Sequence, residues 1–380
     1  MRHFPHCPNR ACDNYHKPPN NAGWYRKAGS YWTKVNGRQP RFTCENCGKG
    51  FSSRTFSIDY YAKRKIDYRE LLNQQISASG INDMARKFKC NTETVQNRIR
   101  RLSHQFQGAM ALYLHDHKIE ENLAADGLES FVESQFFPTN INLLVGKRSQ
   151  FIYFIDSYYF KRKGAMTAEQ KLKKSELYQR ALFEEKSPSK SFDQLLDHVD
   201  KIWDRNKKKS LILDTDENPI YRWSCKRHSG LKKDIEANHF LHRLTNSREE
   251  RNTENKLFPC NYCDRMVRKD MAEHVRETVQ FARDQNCSME RFTLYQFWLN
   301  FMKPYRIKPR RDGMAETHAE AAKISLKKRE AVLKVAFKGY RVEFEKIQDK
   351  LTPYSKRLWE NDLPTPTGKR KRILPEYMAV

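Results

Sequence analysis

Four cysteines near the N-terminus constrain this chain more than any other feature. They stand in two pairs, Cys7-Pro-Asn-Arg-Ala-Cys12 and Cys44-Glu-Asn-Cys47, with 31 residues between the pairs. Two short hooks at this separation are the donor pattern of one tetrahedral zinc held by four thiolates. Gly48 follows Cys47 and lets the backbone curl toward the sulfur. Between the hooks lie Trp24, Tyr25, Arg26, Tyr31, Trp32, Arg38, Arg41 and Phe42. That composition suits short strands with a basic surface, so residues 1–58 are expected to form a zinc ribbon. His3, His6 and His16 stand close enough in sequence to compete as ligands.

The chain has 380 residues, enough for two or three domains with a sizeable core. Lys and Arg number 72 against 46 Asp and Glu, a formal charge of +26. Residues 1–104 carry 20 basic and 7 acidic side chains, so half of the excess lies in about a quarter of the chain. Positive charge concentrated in this way calls for a polyanionic partner, DNA or RNA. No hydrophobic run approaches bilayer length and no charged-then-apolar signal opens the chain, so no membrane partner is expected. Nine cysteines, an odd number in hook spacing, fit a reducing compartment and metal. The expected location is the cytoplasm or nucleoid.

Residues 59–115 read as a helix-turn-helix. Ile81, Met84, Ala85 and Phe88 mark the inner face of a short first helix, and Lys89-Cys90-Asn91 the turn. Thr92 is placed to cap a second helix with Val95, Ile99 and Leu102 as its buried stripe. The outer face would then carry Thr94, Gln96, Asn97, Arg98, Arg100 and Arg101, and the first helix adds Arg86 and Lys87. Amide and guanidinium groups of this kind reach base edges and phosphates from a recognition helix.

From residue 119 the pattern changes to strands. Leu123 to Asp126, Ile141 to Val145 and Phe151 to Phe160 are extended apolar runs with short polar breaks, as in an antiparallel meander. Residues 161–190 are charged and poor in aliphatics, an insertion with one exposed helix. Phe192, Leu195, Leu196, Val199 and Trp203 recur at helical period, and Leu211 to Asp216 is a short apolar strand ending in acids. Residues 264–303 read as one helical stretch with core aromatics, ended by Lys303-Pro304, and 315–350 as another. The fold class expected is α/β and multidomain. A mixed sheet flanked by helices fills 119–310, and a helical extension with a basic tail, Lys369 to Arg372, fills 311–380.

Three acid positions suit a metal site for phosphoryl transfer. Asp126 follows an apolar strand start, Asp214 or Asp216 ends a second strand, and Asp264, Asp270 or Glu273 lies in the helical stretch beyond. Hard divalent ions need oxygen ligands, and paired ions activate the attacking oxygen and stabilise the leaving one. Spacing singles out none of His228, His239 and His274. Cys260 and Cys263 form a Cys-x2-Cys without a second pair and read as coincidental.

In this order of parts the chain resembles bacterial insertion-sequence transposases with a zinc ribbon, a helix-turn-helix and an RNase H-like DDE-type catalytic domain. The resemblance spans roughly residues 5–310. Cys-Pro-Asn-x-x-Cys, then Arg41-Phe-Thr-Cys-Glu-Asn-Cys-Gly-Lys-x-Phe51, is similar to that family's opening, and Gly80 to Leu102 to its helix-turn-helix. Ala125-Asp126-Gly-Leu-Glu-Ser130-Phe131 resembles its first catalytic strand, with Gly127 where Glu is frequent. Thr215-Asp216-Glu-Asn-Pro-x-Tyr221 resembles its second segment and favours Asp216 over Asp214. At the third position Asn261-Tyr-Cys-Asp264-Arg265 puts Asp where Glu is usual. The resemblance implies Asp126, Asp216 and Asp264 as a catalytic set on magnesium or manganese. Zinc would sit on Cys7, Cys12, Cys44 and Cys47, and homo-oligomers would cut and join double-stranded DNA at the bacterial nucleoid. A DNA-binding regulator on an inactive nuclease-like fold is the alternative.

Overall fold

The computed structural model describes residues 4–18, 22–246, 248–275, 278, 280–306 and 316–368. His3, Arg276, Glu277 and the basic run at 369–372 lie outside the described residues. The N-terminal unit has a short helix α1 (Asp13–His16) and an antiparallel sheet of β1 (Tyr25–Thr33), β2 (Gly37–Cys44) and β3 (Gly50–Ser52), in that order. So small a unit has little surface to bury, and aromatic rings fill its interior: Phe4, Trp24, Tyr25, Phe42, Phe51 and Phe56. Phe4 meets Phe42 edge-on at 4.8 Å, and Trp24 stacks on Phe51 at 5.3 Å, both favourable arrangements for ring quadrupoles.

Three helices follow: α2 (Tyr68–Gln75), α3 (Ile81–Lys87) and α4 (Thr92–Leu114). Asp67 caps α2 by accepting from the amides of Arg69 and Glu70. The reversal between α3 and α4 falls at the expected place, with Lys89 at φ +50° and the Cys90 amide donating to the Ala85 carbonyl at 2.9 Å. Thr92, expected as the cap of α4, is instead its first residue. Asn91 holds the N-cap and makes no side-chain capping bond. The helix then runs 23 residues, roughly 35 Å.

The remaining elements, in chain order, are β4 (Leu123–Val132), β5 (Ser134–Gly146), β6 (Ile152–Tyr159), α5 (Ala168–Tyr178), α6 (Ser187–Ile202), β7 (Leu211–Asp216), α7 (Pro219–Arg227), α8 (Lys232–Glu236), β8 (Phe240–Thr245), α9 (Phe258–Asp270), α10 (Gln285–Phe301), α11 (His318–Ala321), α12 (Leu326–Lys338) and α13 (Pro353–Trp359). Their strands form one mixed sheet in the order β6-β5-β4-β7-β8. The first three are antiparallel neighbours, while β4 with β7 and β7 with β8 run parallel. Leu123, Ala125, Leu211 and Leu213 face α6 and α7 on one side. Ala124, Leu128, Ile141 and Leu143 face α9, α10 and α13 on the other, as the two-residue period of strands requires. Helix α5, in the expected insertion, buries none of its residues.

Two expected helical stretches are each divided. Residues 264–303 hold the end of α9 and all of α10, and between them Ala282 bridges to Val132 in extended form. Asp284 starts α10 afresh by accepting from the Cys287 amide. Residues 315–350 hold α11 and α12, parted where Lys323 turns to φ +64° and Ser325 caps the second helix.

The segment 59–115 does not close a core of its own. Val95, Ile99, Leu102 and Phe106 of α4 share one cluster with Phe297 and Phe301 of α10 and with Val332 and Ala336 of α12. Within 316–368 the chain is equally engaged, since Tyr354, Leu358 and Leu363 pack beneath the sheet. The segment after α12 crosses α4 where Gly108 has no side chain; a Cβ there would meet Val342 at 2.5 Å. This same segment seats the N-terminal unit. Arg10 lies 2.8 Å from Glu345, the Tyr15 hydroxyl donates to Glu345 at 2.5 Å, His6 Nε2 is 3.1 Å from Glu343, and the Arg341 amide donates to the Phe56 carbonyl at 2.7 Å.

Charge also ties α4 to α10. Arg100 Nε donates to Glu290 Oε1 at 2.6 Å and Gln96 Nε2 to Glu290 Oε2 at 2.9 Å, with all three side chains buried. Glu290→Ala would strand the Arg100 guanidinium in an apolar interior, a change that costs about 3–5 kcal/mol. Urea unfolding of the two proteins measures it. The double change Arg100→Met with Glu290→Leu is expected to restore most of the loss.

Candidate functional site

The cysteine quartet closes on one point. The four sulfurs lie within 4.8 Å of one another, with Cys7 Sγ 3.5 Å from Cys47 Sγ and Cys12 Sγ 3.8 Å from Cys44 Sγ. Disulfide sulfurs would stand about 2 Å apart, whereas the corners of a zinc tetrahedron with bonds of about 2.3 Å are about 3.8 Å apart. The geometry is therefore that of a tetra-cysteine cluster able to hold zinc. The turn after Cys44 places Cys47, and Gly48 takes φ +71°, as the second hook demands. Polar hydrogens surround the thiolates: the Asn9 amide reaches Cys7 Sγ at 3.4 Å, Asn14 Nδ2 reaches Cys44 Sγ at 3.5 Å and Asn46 Nδ2 reaches Cys12 Sγ at 3.5 Å. Burial alone would raise the Cys47 thiol, but the Asn9 side chain, the Lys49 amide and the neighbouring Cys7 and Cys12 bring it down to about 7. His6 is no competitor, since its ring nitrogens face the Cys7 carbonyl and Glu343.

The face of α4 expected to read DNA is largely consumed inside the protein. Gln96 and Arg100 are turned to Glu290. Arg98 is buried and donates to the Arg64 carbonyl at 3.0 Å. Arg101 donates to the carbonyls of Ile58 and Tyr60 at 2.7 and 2.8 Å, and Asn97 accepts from Arg98 and Arg101. Gln96, Arg98 and Arg100 are thus buried, and Asn97 and Arg101 half-buried, where the periodicity placed them on an open outer face. Helix α4 is covered by α10 on one side and by residues 58–64 on another, and its long cationic stems serve as fillers between them. Thr94 is half-buried, while Arg86, Lys87 and Thr92 are exposed. Arg86 is paired with Asp83 and Lys87 with Glu70.

The acids behave differently. Strands β4 and β7 pair only at Leu123 with Leu213 and Ala124 with Asp214. Two residues further on, Asp126 and Asp216 stand on the same face at the parting of the strands, an opening of the kind where parallel sheets take ligands. Both line a cavity of about 530 Å³ together with Asp264 of α9. Asp126 Oδ1 accepts from the Gly127 amide at 2.8 Å, and Asp216 Oδ1 from the Asn218 amide at 3.0 Å. Asp264 Oδ1 is closed off from solvent and has no hydrogen-bond partner. Burial first, then the Asp216 charge, raises Asp126 to about 6 against the pull of the Gly127 amide and Arg251. Burial and the Asp126 charge raise Asp264 to about 7 against Arg268 and Arg251. Asp216 is raised as well, chiefly by burial. Crowded, dehydrated carboxylates of this kind are relieved by a cation. Among the described residues only the cysteines bring three or more ligand atoms within 4.8 Å of one another, so the three aspartates share the cavity without closing on one point.

The alternatives lie elsewhere. Asp214 is fully buried between Lys147 and Arg243. Asp270 accepts from the Tyr295 hydroxyl at 3.5 Å, and Glu273 is buried against Arg291. His228 is turned to Asp197 at 3.1 Å, His274 to Ser130 at 2.8 Å, and His239 is exposed; none lines the cavity. Cys260 and Cys263 belong to the apolar cluster under the sheet. Sequence reasoning missed Asn246, Glu249, Arg251 and Asn255, which wall the cavity from the loop after β8. The only signal was the run of Asn residues, whose side chains form local turns there, as where Asn255 Oδ1 accepts from the Leu257 amide at 2.8 Å.

Two measurements follow from these sites. Elemental analysis is expected to find one zinc per chain, and Cys44→Ser to lose it together with several degrees of thermal midpoint; a metal-free wild type of equal stability contradicts the cluster's role. Asp264 binds its proton more tightly folded than unfolded, so its ionisation costs stability as pH rises from about 4 through about 7. Asp264→Asn is therefore expected to raise the urea midpoint at about pH 8 without added divalent cation. The gain should fade as the pH is lowered toward 4, where the wild-type carboxyl is protonated in both states.

No protein-family model matches this chain, and no curated protein sequence matches it.

Proposed function

We propose that the chain is a DDE-type DNA transposase, cutting at the ends of a mobile element and joining them to target DNA. The observation that carries this reading is the meeting of Asp126, Asp216 and Asp264 in one cavity although they come from β4, β7 and α9. A mixed sheet with helices on both faces, of the RNase H-like kind, is the frame this chemistry uses. The tetra-cysteine unit, the +26 charge and the α3–α4 turn supply a DNA-binding side. No helix among the described residues is long and apolar enough to cross a membrane, and the reading places the protein as a homo-oligomer on nucleoid DNA.

The donor set fits magnesium or manganese: three hard carboxylates, one with an orphaned buried oxygen. When bound, such ions supply activation of the attacking oxygen and stabilisation of the leaving one. The aspartates would hold them, while Arg251, Arg265 and Arg268 line the cavity with positive charge for the phosphodiester. In the first step water bonds to phosphorus, the bond to the 3′ oxygen breaks, and a proton ends on that oxygen. In the second, the freed 3′-hydroxyl gives up its proton and bonds in line to a target phosphorus, the target's own bond from phosphorus to its 3′ oxygen breaks, and a proton ends on that leaving oxygen.

The second reading, a DNA-binding regulator without cleavage, is favoured by one observation: the three carboxylates share the cavity but do not gather within ligand distance of a single ion. Purified protein with Mg²⁺ on duplexes carrying the element's ends decides. Asp126→Ala and Asp216→Ala are each expected to lower cleavage by at least about a thousandfold while leaving duplex affinity within a factor of about two. Wild type that binds but never nicks supports the regulator, and undiminished cleavage by either variant removes the aspartates from the chemistry.

A further inference from the structure

With most of the expected reading face of α4 buried, one concentration of unneutralised positive charge in the N-terminal quarter lies on the ribbon of β1 and β2, and exposed Lys49, Lys63, Arg64, Lys65 and Lys89 lie outside it. Residues 25–44 hold Arg26, Lys27, Lys34, Arg38 and Arg41 and no acidic residue. Arg26 is paired with Glu45 at 3.3 Å. Among the described residues no carboxylate pairs with Lys27, Lys34, Arg38 or Arg41, in contrast to Arg86 and Lys87, whose charges are already matched.

The ribbon projects. From Arg26 to Ser30 every residue of β1 is exposed, and of β2 only Phe42 and Cys44 are buried. Register puts Trp32 opposite Arg38 and Ser30 opposite Pro40, so these share one face. Arg38 Nε donates to Ser30 Oγ at 2.8 Å, which holds the guanidinium across that face. Trp32 beside it is 71% exposed, the most exposed of the large hydrophobic side chains described. The other face carries Tyr31, with the Arg41 guanidinium 5.8 Å from its ring centre. An indole exposed beside a guanidinium offers a flat apolar face for contact, and charge of one sign around it selects a polyanion.

We infer that the β1–β2 ribbon is the principal DNA-docking element of this chain, entering a duplex groove with Lys27, Lys34, Arg38 and Arg41 on phosphates and Trp32 against the groove wall. A two-stranded ribbon fits the major groove of B-form DNA, about 12 Å wide, while the deep, narrow major groove of an RNA duplex excludes it. The cations would displace condensed counterions, each adding about 0.9 to the salt slope of binding. This rests on the reading of the chain as DNA-acting and names the surface that does the binding.

The test is fluorescence anisotropy of the full chain on a labelled duplex across a salt series. The variant Lys27→Ala, Lys34→Ala, Arg38→Ala, Arg41→Ala is expected to lower the salt slope by about 3 to 4, which makes the affinity loss between 50 and 200 mM salt smaller by on the order of 100-fold. Arg86→Ala with Lys87→Ala is expected to change the slope by less than about 1. As a check independent of the folding of the fourfold variant, duplex DNA should quench tryptophan emission in wild type, and Trp32→Phe should abolish that quenching while retaining zinc. An unchanged slope in the fourfold variant, or full quenching in Trp32→Phe, overturns the ribbon while leaving the DNA reading intact. A wild type that binds no duplex, or binds RNA of equal length more tightly, overturns the DNA reading itself.

Discussion

The short parallel pairing of β4 with β7 is the constraint on which the candidate site depends. It holds for two residue pairs only, after which the strands part. Had it continued, Asp126 and Asp216 would lie side by side inside a closed sheet, with no room for a ligand and with two charges in mutual repulsion. Had it been absent, nothing would bring residues 90 positions apart in sequence to one face. The pairing is anchored by apolar side chains directed at α6 and α7 and stops two residues short of Asp126 and Asp216. Helix α9 then supplies Asp264, which lies one turn from Cys260 and Val267 on the face of the helix fixed under the sheet. The cavity is thus set by packing on the apolar sides of its elements, and its polar lining is carried along.

A second constraint acts at the interface of α4 with α10. Arg100 and Gln96 converge on Glu290, which is fully buried. A buried carboxylate with two donors fixes one arrangement of the two helices, since any slippage leaves charge without a partner. Around it, Phe106 stacks on Phe297 at 3.8 Å and contributes the apolar share of the contact. The helices that follow the cysteine unit therefore share a core with the helices of the sheet domain.

Much of this was legible in the sequence, and the parts that were not share a cause. The hooks at Cys7 to Cys12 and Cys44 to Cys47 are local patterns, and the sulfurs meet as the spacing implies. The strands beginning at Leu123 and Leu211 and the helix over Phe192 announce themselves by period. Periodicity could not tell an outward arginine from an inward one, because Arg98 and Arg100 are buried only by virtue of partners 34 or more positions away. The choice among Asp264, Asp270 and Glu273 had the same character. All three lie within ten positions of one another, and only the packing of α9 against β4 separates the one that faces the cavity. The charged loop from Asn246 to Asn255 carried no sign of its role, since loops of this composition are usually solvent-facing connections.

The seat of the N-terminal unit has a consequence for how the chain is made. Its contacts are to Arg341, Glu343 and Glu345, 285 or more positions beyond Phe56 in the chain. The cysteine unit contains its own aromatic core and its own four ligands, so it can assemble once Phe56 has emerged from the ribosome. It can dock only after Glu345 has emerged from the ribosome, 289 residues after Phe56. During that interval, which is several tens of seconds at the slow end of common elongation rates, the basic ribbon is tethered but unseated. Its positive charge is then free to meet nucleic acid before the acidic cavity has been built.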